Sequence, residues 1–275
     1  MDGYEVAPEI IDFYTSAYDE VTRLSSVAHG ELEFLRTQEL LRRHLPAPPA
    51  NVLDVGGGPG VHARWLVSDG YTVHLVDPVE RHLQQAQASS GCTAEFGDAR
   101  ALTAEDRSYD SVLLLGPLYH LTERDDRVQA LREARRVLRP AGLMAAAVIS
   151  RHAGLLDLAA TARLAPASAE ALQPVLESGR HDGQLGFTTA YFHTAAELTS
   201  EVIDAGFTDV RLYGVEGPAW PALKGIEIHT GQSLTGSALL ASALTAARIA
   251  ESDPALMASN SHILAIGRAP GDAGS

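Results

Sequence analysis

Four glycines lie within the nine-residue segment VLDVGGGPG, residues 52–60. Glycine carries no Cβ atom, so a ligand can approach the main chain here more closely than elsewhere. The residues that follow, VHARWLVSDG, are typical of a helix, whose first N–H groups and positive end favour electron-rich groups. The segment therefore predicts a ligand-binding loop between a strand and a helix.

Two well-known glycine-rich loops do not match this segment. A phosphate-binding P-loop requires Lys and Ser or Thr after its last glycine, whereas Val61 follows Gly60. A dinucleotide-binding loop, counted from Gly56 and Gly58, requires a third glycine at the position of Val61. The spacing observed is instead Asp54-x-Gly56-x-Gly58-x-Gly60.

The composition is that of an ordinary globular protein with an acidic excess. The chain has 275 residues, of which 45% are hydrophobic and 20% charged, and its formal net charge is -14. Such a charge repels polyphosphate, so we expect no nucleic-acid partner. The one cysteine, Cys92, excludes an internal disulfide and a Cys-rich metal site. Because the N-terminus lacks a secretory pattern and no apolar run reaches membrane-spanning length, we expect a cytoplasmic protein without membrane association.

Alternating strand-like and helix-like segments surround the glycine loop. Short apolar runs occur in NVLDVG, YTVHLVD, TAEFGDA, YDSVLLLG and LMAAAVIS, with helical patterns between most of them. This order favours an open parallel sheet with helices on both faces. Two later runs, TDVRLYGVEG and SHILAIGR, are the predicted final strands, with a helix over SALLASALTAARIAE between them. The predicted fold class is α/β, a Rossmann-like, doubly wound, seven-stranded and mostly parallel sheet.

Three further regions flank or interrupt this pattern. Residues 1–47 are predicted to form an N-terminal helical lid, which PAPP at 46–49 ends. Residues 48–268 form the predicted core. Within it, residues 151–193 break the alternation and are predicted as a helical cap insertion after strand five, over the carboxyl edge of the sheet. Residues 269–275 are predicted to be a disordered tail.

Capping residues predict two helix boundaries in the core. Thr122 is the expected N-cap of the helix TERDDRVQALREARRVL, and Pro140 is expected to terminate it. Thr194 and Glu197 have the spacing of a capping box before AELTSEVIDAGF.

The glycine spacing resembles motif I of the class I S-adenosylmethionine-dependent methyltransferases. The resemblance extends over residues 50–150 and continues in the last two strands. Three further segments carry it: LVDP after strand two, FGDA after strand three and GPLYHL after strand four. RVLRPAGL, residues 136–143, is similar to the turn into strand five in many small-molecule methyltransferases. The resemblance implies S-adenosylmethionine as cofactor, S-adenosylhomocysteine as product and no metal.

The resemblance also implies how the adenosyl group is held. In this family an acid after strand two binds both ribose hydroxyls, which assigns that role to Asp77, since a carboxylate can accept two hydrogen bonds. An acid after strand three faces the adenine amino group, which points to Asp98, and the next N–H, that of Ala99, meets a ring nitrogen. The alternatives are a helix-capping aspartate for Asp77 and a turn aspartate for Asp98.

The remaining cofactor contacts implied by the resemblance lie around the methionine part. The backbone after strand four passes the sulfonium, at Leu115. A tyrosine or arginine of the N-terminal helices often touches the methionine carboxylate, and Tyr18 and Arg36 are the choices here, a surface position being the alternative for Arg36. The predicted contacts are completed by Asp54, Gly56, Gly58 and Pro78.

Three residues are candidates for direct chemistry. His120 could act as a general base if the acceptor must lose a proton, or could support the loop by packing. Tyr119 could line the acceptor pocket or be an ordinary half-buried tyrosine. His193 ends the insertion and could be a second base, or a helix-start histidine satisfied by backbone. Other polar residues of the insertion could meet a substrate carboxylate or face solvent: Arg151, His152, Arg180, His181 and Asp182.

The predicted function is methyl transfer to O or N of a small molecule, in a monomer or homodimer, with natural-product biosynthesis as one setting. Two alternatives stay open. The chain could use a bound S-adenosylmethionine for cyclisation or decarboxylation without methyl transfer, or it could be a non-catalytic cofactor-binding partner subunit. The sequence does not identify the acceptor.

Overall fold

A seven-stranded sheet forms the centre of the protein, whose computed structural model describes residues 4, 8–12, 14, 24–183 and 187–272. Its strands are β1 (Asn51–Val55), β2 (Thr72–Asp77), β3 (Thr93–Phe96), β4 (Tyr109–Leu114), β5 (Leu138–Ile149), β8 (Thr208–Gly214) and β9 (His262–Arg268). They lie in the order β3-β2-β1-β4-β5-β9-β8. The pairs among β1 to β5 are parallel, and β9 runs antiparallel to both β5 and β8. The predicted Rossmann-like, mostly parallel fold is confirmed.

Helices cover both faces of this sheet, which explains why its central strands β1 and β4 are mostly buried. The helices are α1 (Pro8–Asp12), α2 (Ala28–His44), α3 (Val61–Ser68), α4 (Glu80–Ser89), α5 (Arg124–Val137), α6 (Ala153–Ala160), α7 (Pro166–Ser178), α8 (Ala195–Asp204), α9 (Trp220–Thr230) and α10 (Ala238–Ala250). In β4, Val112 and Leu114 pack in the cluster that contains α5 and α8, whereas Leu113 packs in the cluster that contains α3 and α4. Alternate side chains of one strand therefore enter two separate cores.

The region between β5 and α8 is the one for which a helical insertion was predicted. It contains α6, α7 and a hairpin of β6 (Arg180–Asp182) and β7 (Thr189–Tyr191), which sequence analysis did not predict. Its apolar residues, among them Leu158, Leu172 and Phe192, form a small core of their own. Three-residue strands give too short an alternating pattern to stand out in a sequence.

Several predicted boundaries change in the structure. Helix α5 begins at Arg124 with Glu123 as its N-cap, so Thr122 is not the cap. It ends at Val137, and Pro140 lies inside β5 instead of terminating the helix. The capping box of Thr194 and Glu197 is confirmed, each backbone N–H being bound by the other side chain. Helix α9 was missed, because Pro and Gly interrupt its segment WPALKGIEIHT.

Both ends of the chain lie partly outside the described residues. Within the predicted lid, residues 1–47, positions 1–3, 5–7, 13 and 15–23 are not described, and neither are residues 273–275 of the predicted tail. The Ala269 N–H donates to the Gly142 carbonyl, which continues the ordered chain past β9. In the part of the chain that is described, no helix has the length and apolar character needed to cross a membrane.

A buried ion pair joins α5 to α8. Arg127 and Glu201 are each 2% exposed, and the Arg127 Nη2 donates to Glu201 Oε1 at 2.7 Å. The Arg127 Nη1 also donates to the carbonyls of Leu121 and Thr122. Burial alone would raise the pKa of Glu201, but hydrogen bonds from His193 and Arg127 hold it below its ordinary value. The pair therefore consists of two charges that no water can solvate.

We expect Arg127→Ala to lower the free energy of unfolding by about 3 to 5 kcal/mol, because Glu201 is left buried without its cation. Arg124→Ala, on the same helix, breaks an exposed ion pair with Asp204 and should cost less than about 1 kcal/mol. Urea denaturation of both variants measures the difference. Equal losses would contradict the importance of burial here.

Candidate active site

A cavity of about 310 Å³ opens at the carboxyl edge of the sheet, beside β1 and β4. The order of the strands reverses between these two, which is where open α/β sheets bind ligands. Most of the predicted site residues line this cavity: Asp54, Gly56, Gly58, Asp77, Pro78, Asp98, Ala99, Leu115, Tyr119 and His120.

The glycine loop has a backbone that other residues rarely adopt. Gly56, Gly58 and Gly60 have φ angles of +68°, +57° and +80°. A Cβ on Gly56 would lie 2.9 Å from the Pro117 Cδ, so the loop also packs tightly against the segment after β4. Gly60 then serves as the N-cap residue of α3.

Gly58 faces the cavity. A Cβ built on it finds the His82 Nδ1, at 4.0 Å, as its nearest neighbour, so a side chain here would occupy cavity space. The Gly58 N–H donates to Asp77 Oδ2 at 2.9 Å. The loop after β1 is thereby tied to the end of β2.

Asp77 is 4% exposed, and both of its carboxylate oxygens accept hydrogen bonds from the protein. Its Oδ1 accepts the Val79 N–H at 2.9 Å and lies 3.1 Å from the His82 Nδ1. Asp77 is not the N-cap of α4, which is Val79, but its side chain binds the N–H of that residue. Each carboxylate oxygen has two lone pairs, so Oδ2, which accepts the Gly58 N–H, can accept another donor from a ligand.

Asp54 lies fully buried below the loop. Among the described residues its Oδ2 has no hydrogen-bond partner. Burial, with a smaller contribution from the charge of Asp77, raises the pKa of Asp54 to about 7. A buried acceptor without a partner, beside a glycine cradle, suits a ligand that brings a cation or a donor. The residues present therefore fit a cofactor with an ammonium group.

Asp98 forms a salt bridge with Arg100, which sequence analysis did not predict. Its Oδ1 accepts the Arg100 N–H at 2.8 Å and the Arg100 Nε at 2.9 Å, and its Oδ2 accepts Nη2 at 2.7 Å. Arg100 also donates to Asp126, and its guanidinium lies 4.4 Å from the Tyr4 ring. The turn-aspartate alternative holds in part, and a lone pair of Oδ2 is left for a ligand donor.

Tyr119 and His120 lie in a short 3-10 helix after β4. The His120 Nε2 is 2.8 Å from the Tyr14 hydroxyl, so the N-terminal segment closes on this side of the cavity. Burial lowers the pKa of His120 to about 4, although the Thr189 backbone and the Asp77 charge oppose that shift. His120 is therefore neutral at pH 7.

Two predicted site residues are not brought to the cavity, and a third is not described. Arg36 is fully buried and pairs with Glu39 and Glu251, so it lies neither in the cavity nor on the surface. His193 is buried against Glu201, with Nε2 at 3.2 Å from Oε2. Tyr18 lies outside the described residues. The polar residues singled out in the insertion, Arg151, His152, Arg180, His181 and Asp182, do not line the cavity.

The far end of the cavity contains residues that sequence analysis missed. Glu33 and Thr37 come from α2, Val215 follows β8, and His262 begins β9. Ala147 and Leu264 add apolar surface there. These residues lie far apart in the chain, and the histidine that opens the last strand was the only local signal.

Fold and site together define an α/β protein with a ligand-binding cavity at the switch point of a Rossmann-like sheet. The family profile "Methyltransferase domain" matches residues 52–142. A ubiquinone biosynthesis O-methyltransferase of Methylobacterium nodulans is 30% identical over 179 residues, covering 63% of this chain and 66% of that protein. Three curated relatives are spanned over 47% to 66% of their own lengths. Residues 52–142 thus belong to the methyltransferase-domain family, and the chain is similar to S-adenosylmethionine-dependent methyltransferases.

Solved structures share the fold at low sequence identity. A methyltransferase of Thermotoga maritima, described as a possible histamine N-methyltransferase, has a TM-score of 0.60 at 17% identity, over 95% of this chain and 99% of that chain. The cyclase SpnF has a TM-score of 0.55 at 16% identity, over 87% of this chain and 82% of that chain. These similarities concern the fold alone.

The raised pKa of Asp54 predicts a pH-dependent stability. Its folded value of about 7 exceeds the ordinary 3.8, so between these values the folded chain holds a proton that the unfolded chain has released. Stability should therefore fall as the pH rises through this window. Asp54→Asn should not lose stability in this way. Its free energy of unfolding, relative to that of the wild type, should therefore rise by roughly 2 to 4 kcal/mol from about pH 4 to pH 8.

Urea denaturation across this pH range measures the gain. Asp125→Asn, which changes an exposed acid in the first turn of α5, is the control and should change the pH dependence by less than about 1 kcal/mol. A wild-type pH profile retained in Asp54→Asn would show that Asp54 is not the group responsible.

Proposed function

We propose that this protein is an enzyme that transfers the methyl group of S-adenosylmethionine to an oxygen or nitrogen atom of a small molecule. The cavity carries the proposal, because it combines a glycine cradle with the acids Asp54, Asp77 and Asp98. The bound cofactor supplies a methyl group already activated on a sulfonium. The chain has to position the acceptor and exclude water.

The strand ends from β1 to β3 are assigned to the cofactor. Asp77 would bind the ribose hydroxyls through the lone pairs its loop contacts leave over, and Asp98 would meet the adenine amino group. Asp54, whose Oδ2 lacks a partner among the described residues, would face the ammonium group. An ammonium there would offset the repulsion between Asp54 and Asp77.

The N-terminal segment is assigned to a lid, residues 1–47, over the core at 48–268, with residues 151–193 as a cap. The contact from Tyr14 to His120 supports this role, since it joins the segment to the loop after β4. A histidine with a pKa of about 4 is a weak base near neutral pH. We therefore assign His120 to holding the lid closed, while Tyr119 lines the acceptor side.

The acceptor would occupy the end of the cavity between β4 and β9. Ala147, Val215 and Leu264 suit an acceptor with an apolar body beside its reacting atom. A relative named for O-methylation in ubiquinone biosynthesis supports a small-molecule acceptor. The net charge of -14 argues against nucleic acid. A cytoplasmic monomer or homodimer in natural-product biosynthesis is part of the proposal.

The second candidate function is cyclisation or decarboxylation with an intact cofactor. The cyclase SpnF, which shares this fold, is the reason to consider this second candidate. A non-catalytic partner subunit is the third candidate, and it predicts cofactor binding without turnover by the purified chain.

Incubation of the chain with S-adenosylmethionine labelled with deuterium in its methyl group tests these candidates. The acceptor panel consists of catechols, hydroquinones, aryl amines and imidazole-ethylamines, and mass spectrometry follows each product. We expect a labelled product and S-adenosylhomocysteine in equal amounts. An altered acceptor beside intact cofactor would favour the second candidate, and absence of cofactor binding would overturn the proposal.

Gly58→Ala should weaken binding of S-adenosylhomocysteine at least about tenfold, because the new methyl group enters the cavity. Gly231→Ala is a matched control, since Gly231 has a similar φ of +68°, open space around it and a position at the end of α9. Both variants should lose about 1 kcal/mol of stability from backbone strain. Calorimetry showing equal affinities for the two would contradict the place given to the cofactor.

A further inference from the structure

A histidine and a buried glutamate form a pair at the acceptor end of the cavity. The His262 Nδ1 lies 2.5 Å from Glu216 Oε1, and the His262 N–H donates to Glu216 Oε2 at 2.9 Å. Glu216 is 2% exposed. Both of its oxygens are thus used to hold one residue, in backbone and side chain.

This arrangement determines how the imidazole is protonated. The carboxylate of Glu216 accepts a hydrogen bond from Nδ1, so the ring proton of neutral His262 lies on that nitrogen. The lone pair of the neutral ring is then on Nε2, at the opposite side of the ring. A carboxylate that fixes the tautomer and orientation of a histidine prepares it to take up a proton.

The position of His262 is the second observation. It pairs with Ile149 at the carboxyl end of β5, and it lines the cavity with 18% of its side chain exposed. Strand β9 lies two strands from β4, or roughly 10 Å along the sheet. The imidazole therefore stands beyond the strand ends assigned to the cofactor, where an acceptor would lie.

We propose that His262, oriented by Glu216, is the general base that takes the proton from the methyl acceptor. The inference rests on the proposed function and adds a general base to it. In the reaction the carbon–sulfur bond breaks with its electron pair on sulfur, and a bond forms between the methyl carbon and the acceptor oxygen or nitrogen. The acceptor proton passes to Nε2 and then to water. Glu216 is a positioning residue.

A divalent cation is the competing explanation of this cluster. Ligand atoms of Glu33, Glu216 and His262 lie within 4.8 Å of one another. The short contact between Nδ1 and Glu216 favours the base, since a cation would have to displace the shared proton. Among the described residues, the charged groups that face His262 are Glu216 and Glu33. The Glu33 Oε2 lies 3.9 Å from the His262 Nδ1.

Nitrogen-detected NMR of histidine-labelled full chain tests the pair without any acceptor. We expect His262, assigned through the signals lost in His262→Gln, to be protonated at Nδ1 when neutral. Glu216→Gln should lower its pKa and reduce the preference for that tautomer. A neutral His262 protonated at Nε2 in the wild type would overturn the proposal.

Kinetics use the first acceptor of the panel that the wild type methylates. His262→Gln should lower kcat at neutral pH by about 10² to 10⁴, the usual contribution of a general base. The loss should narrow as the pH approaches the acceptor's own pKa. His74→Gln is the matched control, because His74 lies 3.4 Å from Glu95 outside the cavity and should leave kcat unchanged.

Binding of S-adenosylhomocysteine separates this proposal from the proposed function. Affinity in His262→Gln should stay within about twofold of the wild type. If His262→Gln keeps both its affinity and its kcat, the general-base role of His262 is wrong while the proposed function stands. If the wild type does not bind S-adenosylhomocysteine, the proposed function itself is wrong. The metal alternative is tested with Mn²⁺ added after chelation. If Mn²⁺ binds the wild type but not His262→Gln, and if turnover requires it, the cluster is a metal site and the general base is overturned.

Discussion

The hydrogen bond from the Gly58 N–H to Asp77 Oδ2 is the contact on which the site depends. Strands β1 and β2 are parallel neighbours, so their carboxyl ends already lie side by side. The hydrogen bond joins them into one surface and aligns the carboxylate with the open face of the loop. Because Gly58 has a φ of +57° and empty space beside it, the same residue supplies both the tie and the room for a ligand.

This surface concentrates negative charge where water has little access. Asp54 lies beneath the loop and Asp77 at its edge, and burial together with the second carboxylate raises the pKa of Asp54 to about 7. A cationic ligand relieves this repulsion, whereas a pyrophosphate would increase it. The electrostatics thus agree with the residue spacing, which lacks both the lysine of a P-loop and the third glycine of a dinucleotide loop. A cofactor with a sulfonium and an ammonium group would bring positive charge to Asp54 and Asp77, which have no arginine or lysine partner among the described residues.

The residues assigned to the cofactor could be placed together at one cavity from the sequence because their signals are local. Glycine spacing and an acid at a strand end report on positions that a parallel sheet brings together automatically, and the seven-stranded fold followed from the same alternation. Predictions failed where a distant partner decides. Arg36 turns to Glu251, which is far away in the chain, and His193 turns to Glu201, which is itself held by Arg127 of another helix. His262 was missed for the same reason, since Glu216 becomes its partner only when β8 and β9 pair.

The two ends of the cavity also rest on different parts of the molecule. His262 belongs to the central sheet, so its position is as firmly set as the strands themselves. Helix α2, which lines the acceptor end through Glu33, has its first half in a separate core with α9 and α10, and the region between β5 and α8 has a core of its own. Units with small cores of their own can open or change shape at less cost than the sheet can. A proton acceptor on the rigid part and a cover on the softer parts would let acceptors of different shape meet one fixed base, with the cofactor loop undisturbed.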